Sequence, residues 1–160
     1  MNIKIIIAAH KQYLMPDDDM YVPVHVGAFG KPDLDLGDNS RRDDSGDNIS
    51  EKNPSFCELT GLYWAWKNLD CQWLGLAHYR RHFSFEKKGD PWKSVLSRRE
   101  AEVLLKENDI ILPETRKYYI ETLYSHYAHT HDASHLDTSG KIISESCPEY
   151  KVHFDAVLKQ

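Results

Sequence analysis

A continuous apolar run near the start of the chain constrains the fold more than any other feature. Residues Ile3–Ala9 read IKIIIAA, a β-branched segment interrupted by a single lysine. Such a run is typical of a strand buried on both faces of a parallel sheet, since strands with one wet face alternate apolar and polar residues. The run is far too short to span a bilayer, and no small-residue cleavage site follows it. It therefore predicts the first strand of an α/β domain.

Further strand-like segments follow at intervals that leave room for helices. Tyr21–Val26 predicts a second strand, in which Pro23 should lie at an edge or at the start because proline cannot donate a ladder hydrogen bond. Trp73–Ala77 (WLGLA) and Asp109–Leu112 (DIIL) predict two more buried strands. Strands that alternate with helices indicate a largely parallel sheet flanked by helices. We predict one α/β domain over residues 1–160.

The helix signals lie between and after these strands. Asn53-Pro54 opens a helix whose apolar face includes Trp66, which we place in the core. Ser97 and Glu100 form a capping box for a helix that reaches about Asn108. Residues from 118 onward are helical with breaks, and 148 begins a last helix. Two stretches are predicted loops: 27–53, long enough to be functional, and 84–93, which is polar.

Composition excludes several classes of function. The net charge is −5, which argues against non-specific nucleic-acid binding through a basic face. Three cysteines with no metal-binding or redox spacing indicate a reducing compartment, so we expect a cytoplasmic protein. We find no transmembrane segment, and any membrane association would be peripheral. The dinucleotide, Walker and hydrolase fingerprints are absent from the sequence.

The strongest chemical signal is the basic turn that follows WLGLA. His78, Tyr79, Arg80 and Arg81 come directly after this strand, and His10 and Lys11 follow the first strand. Ligands of parallel sheets bind at the carboxyl ends of strands. Arginine offers a planar fork of donors that fits phosphate oxygens, as a diphosphate leaving group requires. The alternatives are a solvated turn or arginines paired with structural carboxylates.

Three other patterns are weaker. The loop Asp44–Ser50 contains Asp47 and Asn48, which can bond sugar hydroxyls or simply form surface turns. Asp33 and Asp35 spell Asp-x-Asp, a pattern that can hold a divalent cation, although a chance match among so many acids explains it better. Four late histidines could bind zinc, but free surface histidines are the simpler interpretation; they are His126, His129, His131 and His135.

Three segments together resemble a known bacterial family. They are DNISEKN at residues 47–53, FCELTGLYWAWKN at 56–68 and LGLAHYRR at 74–81. The family was long catalogued as a domain of unknown function. Its members occur in capsular, exopolysaccharide and lipopolysaccharide gene clusters and are described as glycosyltransferases, some of them galactofuranosyltransferases. The resemblance covers nearly the whole chain, and it implies a GT-A-like, Rossmann-like α/β fold.

The resemblance also implies a site. In many such enzymes an Asp-x-Asp after a buried strand holds the metal of the nucleotide-sugar; here His78-Tyr79-Arg80 occupies that place. Bound Mn²⁺ or Mg²⁺ and a metal-independent site are both open alternatives. The predicted substrate-binding residues are Arg80, Arg81, Tyr79, Asp47, Asn48, His10, Lys11 and Asn53. His78 is the predicted acid/base residue, and no metal ligand is assigned.

Two departures from the family pattern bear on function. Residues 40–43 (SRRD) form an irregularity before the shared loop. Similar proteins also continue past residue 160, so we expect the chain to supply the N-terminal, nucleotide-sugar-binding part of a transferase. The expected reaction moves a sugar, such as galactose or galactofuranose, from a UDP-sugar to a growing saccharide, free or lipid-linked. The alternatives are an inactive remnant or interaction module of the assembly machinery, and a zinc protein.

Overall fold

The chain forms two compact units, Met1–Leu112 and Pro113–Gln160. The computed structural model describes residues 1–84, 90, 92–114 and 118–160. The predicted polar loop 84–93 lies largely outside the described residues. Every strand that the described residues form belongs to the first unit. The sheet and the predicted ligand site therefore lie within the first unit.

The sheet of the first unit has four parallel strands in the order β3-β2-β1-β4. They are β1 (Ile3–Ala9), β2 (Tyr21–His25), β3 (Arg41–Arg42) and β4 (Trp73–His78). β1 lies between β2 and β4, and six of its seven residues are buried. The prediction of a mostly parallel sheet in which IKIIIAA is a buried strand is confirmed.

Pro23 lies in the middle of β2, opposite Ile7 of β1, and not at the strand start. Val26 donates its amide to Ala9, so the amides of even-numbered residues in β2 face β1 and the nitrogen of Pro23 faces the other flank. On that flank β3 pairs only with Val24 and His25. The proline is tolerated because its nitrogen points to the part of the flank that β3 does not occupy.

The two faces of the sheet bury two separate cores. Ile6 and Ala8 of β1 pack with β2 side chains and with Trp64 and Ala65. Ile3, Ile5 and Ile7 face the opposite way and pack with residues of the later chain, among them Tyr79, Leu96 and Ala101. Because side chains alternate along a strand, this one apolar segment supplies both cores.

The helices agree in place with the predicted ones but differ in extent. Their bounds are α1 (Asn53–Phe56), α2 (Leu59–Asn68), α3 (Arg98–Leu104), α4 (Leu123–Thr130), α5 (Ser134–Ser146) and α6 (Lys151–Leu158), with 3₁₀ turns at Ser50–Lys52 and Pro148–Tyr150. The Ser97 capping box is confirmed, with Glu100 as the reciprocal partner. The helix predicted to reach Asn108 ends at Leu104, and the helix predicted from Asn53 is broken at Cys57, whose φ is +48°.

The placement of Trp66 in the core was wrong. Trp66 is 64% exposed, whereas Trp64 is 3% exposed and packs under the sheet. The buried side of α2 includes Gly61, where even a Cβ would press against Val26. This close approach selects the face containing Gly61, Trp64 and Ala65, and it turns Trp66, about 200° away around the helix, toward solvent.

The strand predicted at Asp109–Leu112 is also absent. Ile110 and Leu112 are 75% and 78% exposed, and this segment pairs with no strand that the structure describes. An apolar run has the composition of a buried strand whether or not a neighbouring backbone is there to pair with it. Composition alone therefore could not decide this element.

The second unit contains helices α4, α5 and α6. Gly140 is the one fully buried residue in its described part, and it lies where a Cβ would contact Phe154 of α6. No helix within the described residues has the length and apolar character needed to cross a membrane.

Candidate functional site

The basic turn after β4 is a tight hairpin. The His78 amide donates to the Arg81 carbonyl (3.1 Å), and the Arg81 amide donates back to the His78 carbonyl (2.8 Å). The Tyr79 amide donates to Ala8 of β1 at 3.1 Å. These bonds fix the turn to the carboxyl ends of β1 and β4, the edge where parallel sheets bind ligands.

A buried tyrosine ring organises the basic residues at this edge. Tyr79 is 2% exposed. The His10 ring meets it edge-on at 5.2 Å between centroids, the Lys11 ammonium lies 5.5 Å from its centroid, and the Arg80 guanidinium lies at 5.2 Å. Cations are attracted to the face of an aromatic ring. Tyr79 therefore gathers side chains from β1 and β4 into what we call the basic cluster: His10, Lys11, His78, Arg80 and Arg81.

The two arginines of the basic cluster are exposed and are free of carboxylate partners in the described part of the chain. Arginines that do pair there are Arg42, with Asp33 and Asp44, and Arg98, with Asp18 and Asp19. In a chain of net charge −5, guanidinium groups without a carboxylate partner are available to an anion. Among the described residues, no structural carboxylate engages either arginine.

His78 faces a carboxylate that no sequence pattern singles out. Its Nε2 lies 3.7 Å from Oε1 of Glu58, the residue that precedes α2. Burial lowers the pKa of His78, and the charges of Arg80, Arg81 and His10 lower it further, whereas Glu58 raises it. The imidazole is therefore favoured in its neutral form near pH 7.

The tautomer of His78 bears on whether this place suits a metal. Nδ1 of His78 accepts the Arg80 amide at 3.2 Å, which places the proton of the neutral ring on Nε2. The nitrogen that faces Glu58 is therefore a donor and has no lone pair for a cation. Two guanidinium groups lie beside it, and no cluster of three metal-ligating side chains occurs in the described residues. These residues do not fit the cation that an Asp-x-Asp would hold.

A second polar centre lies at the ends of β2 and β3, built on the fully buried Asp43. Its carboxylate accepts the amides of Gly27 (2.8 Å) and Ala28 (3.0 Å) and the hydroxyls of Ser50 (2.5 Å) and Thr60 (2.6 Å). We call these five residues the Asp43 network. A buried carboxylate is stable only with such partners. Asp43 belongs to the SRRD irregularity, which supplies β3 and this anchor.

The Asp43 network also fixes the long loop predicted at residues 27–53. Ala28 and Leu36 are buried within it. The Arg42 guanidinium closes the loop through Asp44, Asp33 and the Ala28 carbonyl. The Asp33 side chain is thus engaged by an arginine, and the Asp-x-Asp pattern is not a pair of free ligands.

His25 lies beside this loop at the end of β2. It is 5% exposed, and its Nδ1 has no hydrogen-bond partner among the described residues. Burial lowers its pKa, and the Arg42 guanidinium lowers it further. His25 is therefore held as a neutral imidazole inside the fold.

Two of the predicted substrate-binding residues lie elsewhere. Asp47 accepts the Tyr63 hydroxyl at 3.1 Å, and its carbonyl accepts the Asn68 amide at 2.8 Å. Asn48 accepts the Ser50 amide in a local turn. Because α2 returns the chain to the starting end of the sheet, Asn68 lies about 12 Å along the helix from Thr60. The structure therefore separates Asp47 from the basic cluster.

Asn53 lies over the Asp43 network. Its side-chain amide donates to the Cys57 carbonyl at 2.8 Å and to the Thr60 hydroxyl at 3.1 Å. These bonds hold the break between α1 and α2, which makes Asn53 a supporting residue for the local fold in this structure.

The late histidines form pairs within the second unit. His126 and His129 each place Nδ1 at 3.1 Å from the Glu121 carboxylate, and His135 contacts the Tyr127 hydroxyl. His126 and His129 thus share one carboxylate, and no group of three or more side chains in the described residues is arranged to hold a metal ion. The zinc hypothesis therefore has no site in the described structure.

Comparison with solved structures places this fold in a class. The apo structure of the bifunctional glycosyltransferase WbbM matches with a TM-score of 0.74 and 27% sequence identity over 99% of this chain. This chain spans 32% of the length of that one. The parallel sheet with a basic edge thus has a glycosyltransferase-like architecture, as the sequence resemblance implied.

The family is shown by the sequence itself. Residues 4–160 match the family model DUF4422, described as a domain of unknown function, and the chain belongs to this family. No match was found among curated proteins.

Proposed function

We propose that this chain binds a nucleotide-sugar for a glycosyltransferase and that the basic cluster holds the diphosphate of the donor. One observation carries the proposal: Arg80 and Arg81 are exposed and unpaired by carboxylates in the described residues, at the carboxyl ends of β1 and β4. The architecture shared with a glycosyltransferase supports it.

The chemistry of the leaving group suits this arrangement. When the bond between the sugar and the diphosphate breaks, negative charge develops on the phosphate oxygens. Guanidinium groups of Arg80 and Arg81 and the Lys11 ammonium can neutralise that charge without reorganising, which lowers the barrier. We propose that these side chains, and not a divalent cation on His78, perform the neutralisation.

The proposed donor is a UDP-sugar, with galactose or galactofuranose as the transferred unit. The proposed acceptor is a growing capsular, exopolysaccharide or O-antigen saccharide, free or lipid-linked. Both rest on the sequence resemblance. We place the reaction in the cytoplasm, with peripheral association at the inner face of the membrane where a lipid-linked acceptor is used.

Binding of UDP tests the diphosphate site. Calorimetry should show affinity in the wild-type chain and a loss of about tenfold or more in Arg80→Ala and in Arg81→Ala, since a charged hydrogen bond contributes about 1.5–3 kcal/mol. Arg99→Ala, at an exposed arginine of α3, is the matched control. Equal affinity in all four proteins would refute the site.

A donor screen tests the reaction. UDP release is followed with UDP-galactose, UDP-galactofuranose and other UDP-sugars, with saccharide acceptors present. We expect turnover with one donor class that is indifferent to EDTA and to added Mn²⁺. Activity that disappears with EDTA and returns with Mn²⁺ would overturn the metal-independent mechanism.

A further inference from the structure

Glu58 is the carboxylate best placed to meet a substrate at the basic cluster. Its side chain is 43% exposed and lies 3.7 Å from Nε2 of His78. Two other carboxylates near the same sheet edge are engaged elsewhere. Asp43 is fully buried and saturated by four donors, and Asp44 is paired with Arg42.

The backbone before Glu58 is held in an unusual conformation. Cys57 has φ +48° and ψ −128°, a region that favours glycine, and it is the one non-glycine residue with positive φ among those described. The Asn53 side chain and the Thr60 backbone amide both donate to the Cys57 carbonyl, and the Thr60 hydroxyl donates to Asp43. The buried network therefore stabilises a break whose effect is to end α1 and to set Glu58 opposite His78. Such strain is typically retained where surrounding structure and function require it.

The contact between the two residues has a defined polarity. The proton of neutral His78 is on Nε2, so the imidazole presents a donor to the Glu58 carboxylate. The pair carries one negative charge and can accept one proton. The charged or titratable groups that face it are Arg80 and Arg81 from the turn and His10 from the end of β1.

We propose that Glu58, oriented by His78, is the general base that takes the proton of the acceptor hydroxyl. This inference rests on the proposed glycosyl transfer. The hydroxyl oxygen forms a bond to the anomeric carbon while the bond from that carbon to the diphosphate breaks. The hydroxyl proton passes to the Glu58 carboxylate, and the electron pair of the broken bond stays on the diphosphate beside Arg80 and Arg81.

The test compares Glu58→Gln with the wild-type chain in UDP binding and in turnover. General base catalysis contributes about 100- to 10,000-fold, so kcat for transfer, and for donor hydrolysis with water as acceptor, should fall by that range. UDP affinity should stay within about twofold because Glu58 does not hold the diphosphate. Glu51→Gln, an exposed carboxylate in the adjoining 3₁₀ turn, should change neither quantity.

Two further readouts separate a base from a structural role. Formate should partly restore turnover to Glu58→Ala, because a small carboxylate can occupy the space left by the side chain. By ¹⁵N NMR, the His78 imidazole should titrate at lower pH in Glu58→Gln, since the charge that raises the pKa of His78 is removed.

Each contrary result is distinct. Unchanged kcat in Glu58→Gln, or a rise in donor KM alone, would refute the base while leaving the diphosphate site intact. Loss of UDP affinity in the same variant would show a structural role and would also overturn the inference. A wild-type chain that binds UDP but turns over no donor would overturn it too. Absence of UDP binding in the wild type would refute the proposed function itself.

Discussion

Two polar centres occupy the same edge of the sheet and are built in opposite ways. The Asp43 network, at the ends of β2 and β3, is an anion deep in the fold with each of its donors supplied by the chain. The basic cluster, at the ends of β1 and β4, is a set of basic side chains around the buried ring of Tyr79, and its two guanidinium groups lie in solvent. The Asp43 carboxylate is satisfied within the fold, whereas the guanidinium groups of Arg80 and Arg81 have no carboxylate partner among the described residues.

Removing the Asp43 carboxylate should give the largest loss of stability. Asp43→Ala leaves the amides of Gly27 and Ala28 and the Ser50 hydroxyl without an acceptor in the interior, and each unsatisfied group costs about 1–3 kcal/mol. We expect a loss of about 3–5 kcal/mol in urea unfolding. Asp38→Ala, at an exposed carboxylate of the same loop, should stay within about 0.5 kcal/mol. A similar loss of unfolding free energy in both variants would contradict a stabilising role for the Asp43 network.

Two glycines of the loop offer a matched pair. Gly27 (φ +62°) gives its amide to Asp43, and a Cβ there would overlap the Asn53 side chain; Gly30 (φ +67°) has open space around it. Gly30→Ala should cost about 1 kcal/mol from backbone conformation alone. Gly27→Ala adds the steric overlap and should cost about 2–3 kcal/mol. If thermal unfolding shows equal losses of stability in the two variants, the Asp43 network tolerates displacement of Asn53.

Substitutions in the basic cluster should change the free energy of unfolding when UDP is bound and leave it nearly unchanged without UDP. Arg80→Ala should leave unfolding without ligand within about 0.5 kcal/mol of wild type. UDP at 100 times its Kd should stabilise the wild type by about 2.7 kcal/mol. At the same concentration a tenfold weaker variant gains only about 1.4 kcal/mol. A variant that is destabilised without UDP would place Arg80 in the fold instead.

The smallest effect should be a pH dependence from His25. Its pKa is lowered in the folded state, so the unfolded chain binds more protons as pH falls below the ordinary value of 6.5. Neutral His25 makes its full contribution to the free energy of unfolding above pH 6.5, and this contribution is lost as the pH decreases toward the lowered pKa. Urea midpoints measured from pH 7.5 to 5 should decline less steeply in His25→Gln. Parallel slopes would show that His25 is not the group that titrates.

The local sequence pattern was sufficient to predict elements whose interacting residues are close in sequence or whose composition is strongly apolar or basic. The Ser97 capping box involves residues three apart, so its geometry is read directly from the sequence. Likewise the apolar composition of β1 predicts a strand buried on both faces, as the structure shows. The basic turn was found because arginines directly after a buried strand are unusual.

The sequence pattern did not predict features that depend on a residue far away in the chain. Helical periodicity places Trp66 on the apolar face, and only the close approach of Gly61 to the sheet selects the face that contains Trp64. DIIL has the composition of a strand but no strand beside it in the described residues. Asp43 and Glu58 carried no signal, since one acid among many gains its role from partners far along the chain.

The α/β class, the buried first strand and the basic turn follow from the sequence, because they depend on the chemistry of contiguous residues. Which charges are satisfied depends on the tertiary structure. It surrounds Asp43 with four donors, pairs Asp47 with Tyr63 and sets Glu58 opposite His78. The physical reason is that an electrostatic role depends on distance and solvent exposure, and the chain path between residues separated in sequence sets both.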